Sequence, residues 1–171
     1  EKEMGTMEIM LVSPMKPQMV VIAKAVPYFL LSSINITSIL LLSVFVLEVP
    51  INGSLLLLVA ESLLFTLVSL SLGLLISSRA ESQQVAMFIS LVALFLPTVM
   101  LSGFMFPIEN MPFPLRMVSN IVPAKWYYII VRSVMIKGVG ITAVWKETLI
   151  LAGMLLFLLT LAIKRFKIRL Q

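Results

Sequence analysis

Four long apolar stretches dominate the pattern of hydrophobic and polar positions along this chain. They run from about residue 20 to 46, 55 to 76, 85 to 106 and 148 to 166. A helix needs about 20 apolar residues to cross roughly 30 Å of hydrocarbon, and each stretch is close to that length or longer. The pattern therefore predicts an all-α membrane protein with four transmembrane helices. Pro97 predicts a kink in the third, and Pro27 predicts either a kink in the first or a break between an interfacial turn and the true span.

The segment from about residue 107 to 140 has a mixed pattern. Met111, Leu115 and Val118 repeat at helical spacing opposite Arg116, and Pro123 ends the repeat. The segment is too apolar for a free loop and too interrupted for a fifth crossing. It predicts two short amphipathic helices that dip into the outer leaflet, a re-entrant segment before the last span. One amphipathic helix lying on the outer surface is the alternative.

Composition supports a membrane location. The chain has 171 residues, 60% of them hydrophobic, only 12% charged, and a mean hydropathy of +1.10. The net charge of +5 does not indicate nucleic-acid binding, because the cations lie at span ends and in loops. The positive-inside rule and an even number of spans predict that both ends lie in the cytoplasm. The cations on the predicted inner side are Lys2, Lys16, Lys24, Arg79, Lys164, Arg165, Lys167 and Arg169.

The sequence lacks the residue types that several kinds of catalytic site require. The sequence contains no Cys, His or Asp, so it cannot build zinc sites with thiolate or imidazole ligands, Ser-His-Asp triads or paired aspartates. A P-loop for ATP is also absent. A membrane enzyme that uses Glu61 and interfacial tyrosines, such as a lipid-modifying transferase, remains a weaker alternative. We expect no enzyme activity and no metal site in this chain.

The second apolar stretch carries an unusual group of polar residues. Glu61 is the one acid well inside a predicted span, where an ionisable group is costly and by default functional. We hypothesise that Glu61 contacts a cationic substrate or a coupling proton; alternatively it sits neutral or snorkels to the outer interface. A stripe of small residues on the same helix favours helix packing over the wall of a substrate path. The stripe consists of Ser62, Thr66, Ser69, Gly73 and Ser77.

The first residues, Glu1 to Glu8, form a charged segment ahead of the apolar stretches. Read as a helix, Met4, Met7 and Leu11 share one stripe flanked by glutamates, and the following prolines end it. The pattern acid-x-acid-x-Gly-Thr-x-Glu, followed by a short apolar run and Ser-Pro, resembles the cytoplasmic coupling helix of ABC-2 type transporter permeases. The resemblance assigns coupling to an ATPase to Glu1, Glu3, Met4, Gly5, Thr6, Met7, Glu8 and Leu11.

A second string, from Leu101 to Pro112, carries the same resemblance. It is similar to the Ser-Gly-x-x-Phe-Pro-x-x-x-Met-Pro signature at the outer end of the fifth span in ABC-2 permeases. Asn120-x-x-Pro123, followed by Trp126-Tyr127, resembles the re-entrant segment of that family. The resemblance implies an outer gate formed by Ser102, Gly103, Phe106, Pro107, Met111, Pro112, Asn120, Pro123 and Tyr127.

The resemblance implies a fold and a function. Residues 1–17 would be the coupling helix and linker, and residues 18–171 the transmembrane part of an ABC-2 type six-span domain. Because the chain begins at Glu1 rather than Met, we expect it to be a fragment, and the resemblance implies that the missing part carries two earlier spans. The implied protein is a multi-pass permease subunit of an ATP-binding cassette exporter in the inner (cytoplasmic) membrane.

Its partners follow from the same resemblance. An ATP-binding subunit would hold ATP and Mg²⁺, this chain would bind no cofactor, and a second permease copy would complete the path. The substrate would be hydrophobic or amphipathic, such as a drug, an antibiotic or a lipid-like molecule, reached through Glu61, Ser62, Thr66 and Ser69. A polysaccharide or lipid-linked glycan export permease, or a non-transporting membrane scaffold subunit, remains the alternative.

Overall fold

The computed structural model describes residues 17–80 and 82–168. This part of the chain is helical and contains no strand, which confirms the predicted all-α class. A π-helix, Leu91–Phe95, joins the third and fourth α-helices, and a short 3₁₀ turn covers Ile108–Asn110. The α-helices are α1 (Pro17–Phe45), α2 (Leu55–Arg79), α3 (Gln83–Ser90), α4 (Leu96–Leu101), α5 (Phe113–Ser119), α6 (Pro123–Met135) and α7 (Ile141–Ile168).

Within residues 17–80 and 82–168, four helical segments are long and apolar enough to cross a membrane, as predicted. They are Ile22–Phe45, Leu55–Arg79, Gln83–Leu101 and Ile141–Lys164. The third of these membrane-length segments ends at Leu101, earlier than the predicted 106, because Gly103 leaves helical geometry with a φ of +91°. The fourth segment, in α7, begins at Ile141, earlier than the predicted 148. Hydropathy placed that boundary after Lys146 and Glu147, but charged residues do not interrupt a helix.

The two intraspan prolines have different surroundings. Pro97 follows the π-helix Leu91–Phe95. Proline removes one backbone donor and crowds the carbonyl four residues earlier, so a wider turn just before it relieves the clash. Pro27 lies inside α1, which continues through it to Phe45. The predicted disturbance at Pro97 therefore takes the form of a π-helix.

Serine and threonine are accommodated in these apolar helices because their hydroxyl groups donate hydrogen bonds to backbone carbonyls of the same helix. Ser33 and Thr37 of α1 donate to the carbonyls four residues earlier, at 2.7 and 2.8 Å. Ser71 of α2 does the same to Leu67, at 2.7 Å. Such back-bonding leaves no free hydroxyl proton in hydrocarbon. Their presence is therefore compatible with helices that span a membrane.

The core lies where α6 and α7 pack on α2. The contact between α2 and α7 is the most extensive in the fold, and α6 contacts both helices. Leu58 of α2, Ile130 and Val134 of α6, and Val144 and Leu151 of α7 form one buried cluster. By contrast, α3, the π-helix and α4 contain no buried residue. The packed part of the fold therefore surrounds one half of α2.

Candidate functional site

The first element of the site is the contact of α6 with α2. The rings of Tyr127 and Phe65 stack with centroids 4.4 Å apart and planes 4° apart. The Tyr127 hydroxyl lies 2.8 Å from Ser62 Oγ. Because Ser62 Oγ donates its proton to the Leu58 carbonyl at 2.7 Å, it accepts from Tyr127. Burial raises the pKa of Tyr127, so this hydroxyl keeps its proton.

Glu61, the residue before Ser62, is enclosed between α2 and α7. It is 3% exposed, and its Oε1 accepts a hydrogen bond of 2.7 Å from the Thr148 hydroxyl on α7. Thr148 also lies 3.0 Å from the Val144 carbonyl, so its single proton serves two acceptors. Glu61 Oε2 is buried and has no hydrogen-bond partner among the described residues. The Glu61 carboxyl group is therefore buried at the contact between α2 and α7.

The small-residue stripe of α2 is divided by this packing. Ser62 and Thr66 are buried, and Thr66 donates to the Ser62 carbonyl at 2.9 Å. Ser69 is exposed, and a Cβ added at Gly73 would meet no atom within 4 Å. Among the described residues, the stripe serves helix packing in the half that α6 and α7 cover. Of the residues predicted to lie on a substrate path, Glu61, Ser62 and Thr66 are brought together, and Ser69 is not.

The turn after α4, residues 102–107, is called the outer turn after its predicted side of the membrane, and its backbone depends on Gly103. Its φ of +91° lies in a region that residues with a side chain rarely adopt. A Cβ there would also lie 3.1 Å from the Ile108 side chain. Ser102 is buried, and its Oγ accepts from the Phe104 N–H at 3.3 Å. Phe104 then meets Tyr128 of α6 edge-to-face, with centroids 6.4 Å apart, so the turn leans on α6.

A cleft of about 460 Å³ opens between α4 and the segment that leads into α5. Its walls are apolar except for Asn110. The cleft brings together residues predicted for the outer gate with residues of α4 that were not predicted. The gate residues that line it are Phe106, Pro107, Met111 and Pro112, and the α4 residues include Pro97 and Met100.

The junction of α5 and α6 is built around Asn120 and Lys125. Lys125 donates to Asn120 Oδ1 at 2.6 Å and to Ser119 Oγ at 3.2 Å. Trp126 Nε1 donates to the Asn120 carbonyl at 2.9 Å. Burial, with a smaller effect from Arg116, lowers the pKa of Lys125. Asn120 therefore fixes the angle at which Pro123 begins α6.

The other end of α6 is capped from a distant loop. The backbone N–H of Asn52 donates to the Met135 carbonyl at 3.1 Å, and its Nδ2 donates to the Ile136 carbonyl at 3.0 Å. Gly53 packs so closely that an added Cβ would collide with the Val134 carbonyl oxygen. This contact between the loop and α6 was not predicted from the sequence.

The remaining predicted residues lie outside the described part of the chain. All residues assigned to ATPase coupling, from Glu1 to Leu11, belong to that group. Among the described residues, no group of three or more His, Cys, Asp or Glu is arranged to hold a metal ion.

Helices of membrane length, with a short helical pair before the last of them, define a multi-pass membrane domain. Its family is shown by comparison with known proteins. The family model of the ABC-2 type transporter matches residues 1–136, and the chain belongs to that family.

Relatives from different organisms resemble the chain over most of its length. It is 37% identical over 159 residues to "Probable multidrug ABC transporter permease YbhS" of Escherichia coli, covering 92% of this chain and 42% of the relative. It is 33% identical over 147 residues to the E. coli "Probable multidrug ABC transporter permease YbhR", covering 86% and 40%. "ABC transporter G family member 20" of Dictyostelium discoideum is 28% identical over 165 residues, covering 95% and 22%. The chain thus spans less than half the length of these relatives, and no solved structure matches it significantly.

Proposed function

We propose that this chain is part of the permease subunit of an ATP-binding cassette exporter that moves a hydrophobic or amphipathic molecule across the cytoplasmic membrane. The observation that carries the proposal is the docking of α6 on α2 and α7 in a chain of the ABC-2 family. Through this docking, α6 connects two helices that would move during transport, α2 and α7, with the outer turn that would open and close the path. The chain itself catalyses no reaction, and a separate subunit hydrolyses ATP.

The proposed coupling begins at the inner side. Glu1, Glu3 and Glu8 pair with cations of the ATP-binding subunit, while Met4 and Met7 fill an apolar groove on it. Closure of two such subunits around ATP pushes this segment and therefore tilts α1, with both ends of the chain in the cytoplasm. Because α1 contacts α2 and α7, the tilt reaches the packed core.

The outer side receives the motion through α6. Tyr127 is tied to α2 by its stack on Phe65 and its bond to Ser62. The next residue, Tyr128, contacts Phe104 of the outer turn. A shift of α2 would therefore move the wall of the outer cleft. Close-packed side chains move together, so they transmit such a shift better than a flexible loop would.

The surfaces support an apolar substrate and a second permease copy. The outer cleft has one polar side chain in its lining, so it suits hydrocarbon or aromatic groups better than sugars. No residue of Ile22–Phe45 in α1 or of Gln83–Leu101 is buried. Lipid and a second permease copy would cover these faces. The names of the two E. coli relatives agree with a drug-like substrate.

Co-purification tests this proposal. The full-length protein is solubilised in mild detergent, and associated proteins and ATPase activity are measured. We expect a P-loop ATPase to co-purify, and Glu8→Arg to weaken that association without unfolding the helices. Glu109→Gln, at an exposed acid of the outer 3₁₀ turn, is the matched control and should retain the partner. A protein that purifies alone under gentle conditions would overturn the proposal.

A further inference from the structure

Glu61 has an unmet electrostatic requirement. Its carboxylate is 3% exposed in a helix long and apolar enough to span a membrane, and Oε2 is buried with no hydrogen-bond partner among the described residues. A buried carboxylate oxygen costs several kcal/mol unless a positive charge or a proton compensates it. The Thr148 hydroxyl contributes one hydrogen bond, to Oε1. Oε2 is left without compensation.

Among the described residues of α1, α6 and α7, no charged side chain meets this requirement. On α7, Lys146 is exposed with its Nζ 5.8 Å from the Trp145 ring, and Glu147 has a buried Oε2 that also lacks a partner. On α6, the Tyr127 hydroxyl is bonded to Ser62, and Arg132 is exposed. On α1, the sequence has no titratable residue between Tyr28 and Glu48. None of these described groups donates a hydrogen bond to Glu61 Oε2.

We propose that Glu61 Oε2 binds a small monovalent cation, either a proton or an alkali-metal ion, at the contact between α2 and α7. The occupied site holds the two helices together, because the bound charge removes the cost of burying the carboxylate. This inference goes beyond the proposed transport function, since it requires neither ATP nor a transported substrate.

The size of the ligand follows from the packing. Leu58 lies one turn before Glu61 on α2, and Val144 and Leu151 lie one turn to either side of Thr148 on α7. All three are buried, with exposures of 0 to 2%. Because Glu61 is only 3% exposed, an organic cation of drug size could reach the carboxylate only if these side chains moved. The ligand proposed for this conformation is therefore a proton or a monatomic ion.

The two ligands would use the same oxygen differently. A proton on Oε2 makes the group a neutral acid, which hydrocarbon tolerates far better than an ion. An alkali-metal ion would need further oxygen ligands, of which Thr148 Oγ1, 2.7 Å from Glu61 Oε1, is one. Both cases make the stability of the α2–α7 contact depend on cation activity.

Thermal unfolding of the full-length protein in lipid nanodiscs tests the proposal. One arm titrates NaCl and LiCl at fixed pH, with choline chloride holding the ionic strength constant. The other arm varies pH in choline chloride alone. We expect the Tm of the unaltered protein to rise by a few degrees in at least one arm, either with increasing Na⁺ or Li⁺ concentration or with falling pH. A response to pH alone identifies a proton, and a response to Na⁺ or Li⁺ at fixed pH identifies a metal ion.

The variants decide whether Glu61 is the binding group. Glu61→Gln keeps the shape and removes the charge, so it should abolish the cation-dependent part of the Tm. Glu109→Gln, at the exposed acid, should respond as the unaltered protein does. Should Glu61→Gln fail to fold, Thr148→Val should move the midpoint of the response. An equal response with and without the Glu61 carboxylate, an unmoved midpoint in Thr148→Val, or no response in the unaltered protein overturns the proposal.

Discussion

The hydroxyl of Tyr127 on α6 lies 2.8 Å from the hydroxyl of Ser62 on α2, and Ser62 in turn donates to the backbone of its own helix. This chain of two hydrogen bonds joins the short outer helix to an apolar span. Replacing Tyr127 by Phe removes the bond and retains the ring stack on Phe65. We expect Tyr127→Phe to lower the free energy of unfolding by about 1 kcal/mol, measured by thermal or denaturant unfolding in detergent.

Tyr28→Phe is the matched control for that substitution. Tyr28 is 61% exposed on α1, so its hydroxyl makes no buried contact. We expect its loss to change stability by less than about 0.5 kcal/mol. Equal effects of the two substitutions would contradict the importance of the Tyr127–Ser62 bond.

Glycines at two positions should respond in opposite ways to alanine. A Cβ at Gly53 collides with the Val134 carbonyl of α6, whereas a Cβ at Gly73 meets nothing within 4 Å. Gly53→Ala should therefore destabilise the protein by about 1–3 kcal/mol, as expected for overpacking. Gly73→Ala, within α2, should be neutral or stabilise by up to about 1 kcal/mol, because Ala is the better helix former. Unfolding curves of the two variants check the difference in sign.

The outer turn provides a conformational test. Gly103→Ala forces a side chain into a φ of +91°, and its Cβ crowds Ile108. We expect a loss of about 1–3 kcal/mol and a misplaced turn. Gly140→Ala is the control, since an added Cβ there has open space. Limited proteolysis of the loop after α4 should accelerate in Gly103→Ala alone; equal cleavage rates would argue against the role assigned to Gly103.

Much of the fold could be predicted from local sequence. The four membrane-length helices follow from hydropathy, and the short helices α5 and α6 follow from the mixed pattern bounded by prolines. Gly103 was singled out with its outer-turn motif, and the structure gives it a backbone conformation that suits glycine. In each case the signal is a period or a turn residue within a few positions.

The contacts that build the site were not predictable in this way. The bond from Thr148 to Glu61 joins positions 87 residues apart, and that from Asn52 to Ile136 joins positions 84 apart. Such pairs are set by how α2, α6 and α7 pack, and no periodicity in one segment contains that information. For the same reason, the exposure of Ser69 and the burial of Ser62 on one stripe could not be separated beforehand.

Filling the outer cleft should separate transport from folding. Met100→Trp adds bulk to a cavity of about 460 Å³, so the helices need not move to accept it. If substrate passes through this cleft, we expect at least a severalfold drop in transport with little change in Tm. Leu56→Trp, at a position 79% exposed on α2, is the control and should transport normally. Unimpaired transport in Met100→Trp would exclude the cleft from the path.

The most direct measurement is flux through the reconstituted protein. The full-length protein and the proposed ATP-binding subunit are placed in proteoliposomes. The movement of a fluorescent amphipathic dye is then followed with ATP, without ATP and with a non-hydrolysable analogue. The account predicts dye movement only with hydrolysable ATP, and loss of that movement in Glu8→Arg while the helices stay folded. Flux that ignores ATP, or ATP hydrolysis that never moves any amphipathic dye, would contradict the assignment of this chain to an exporter.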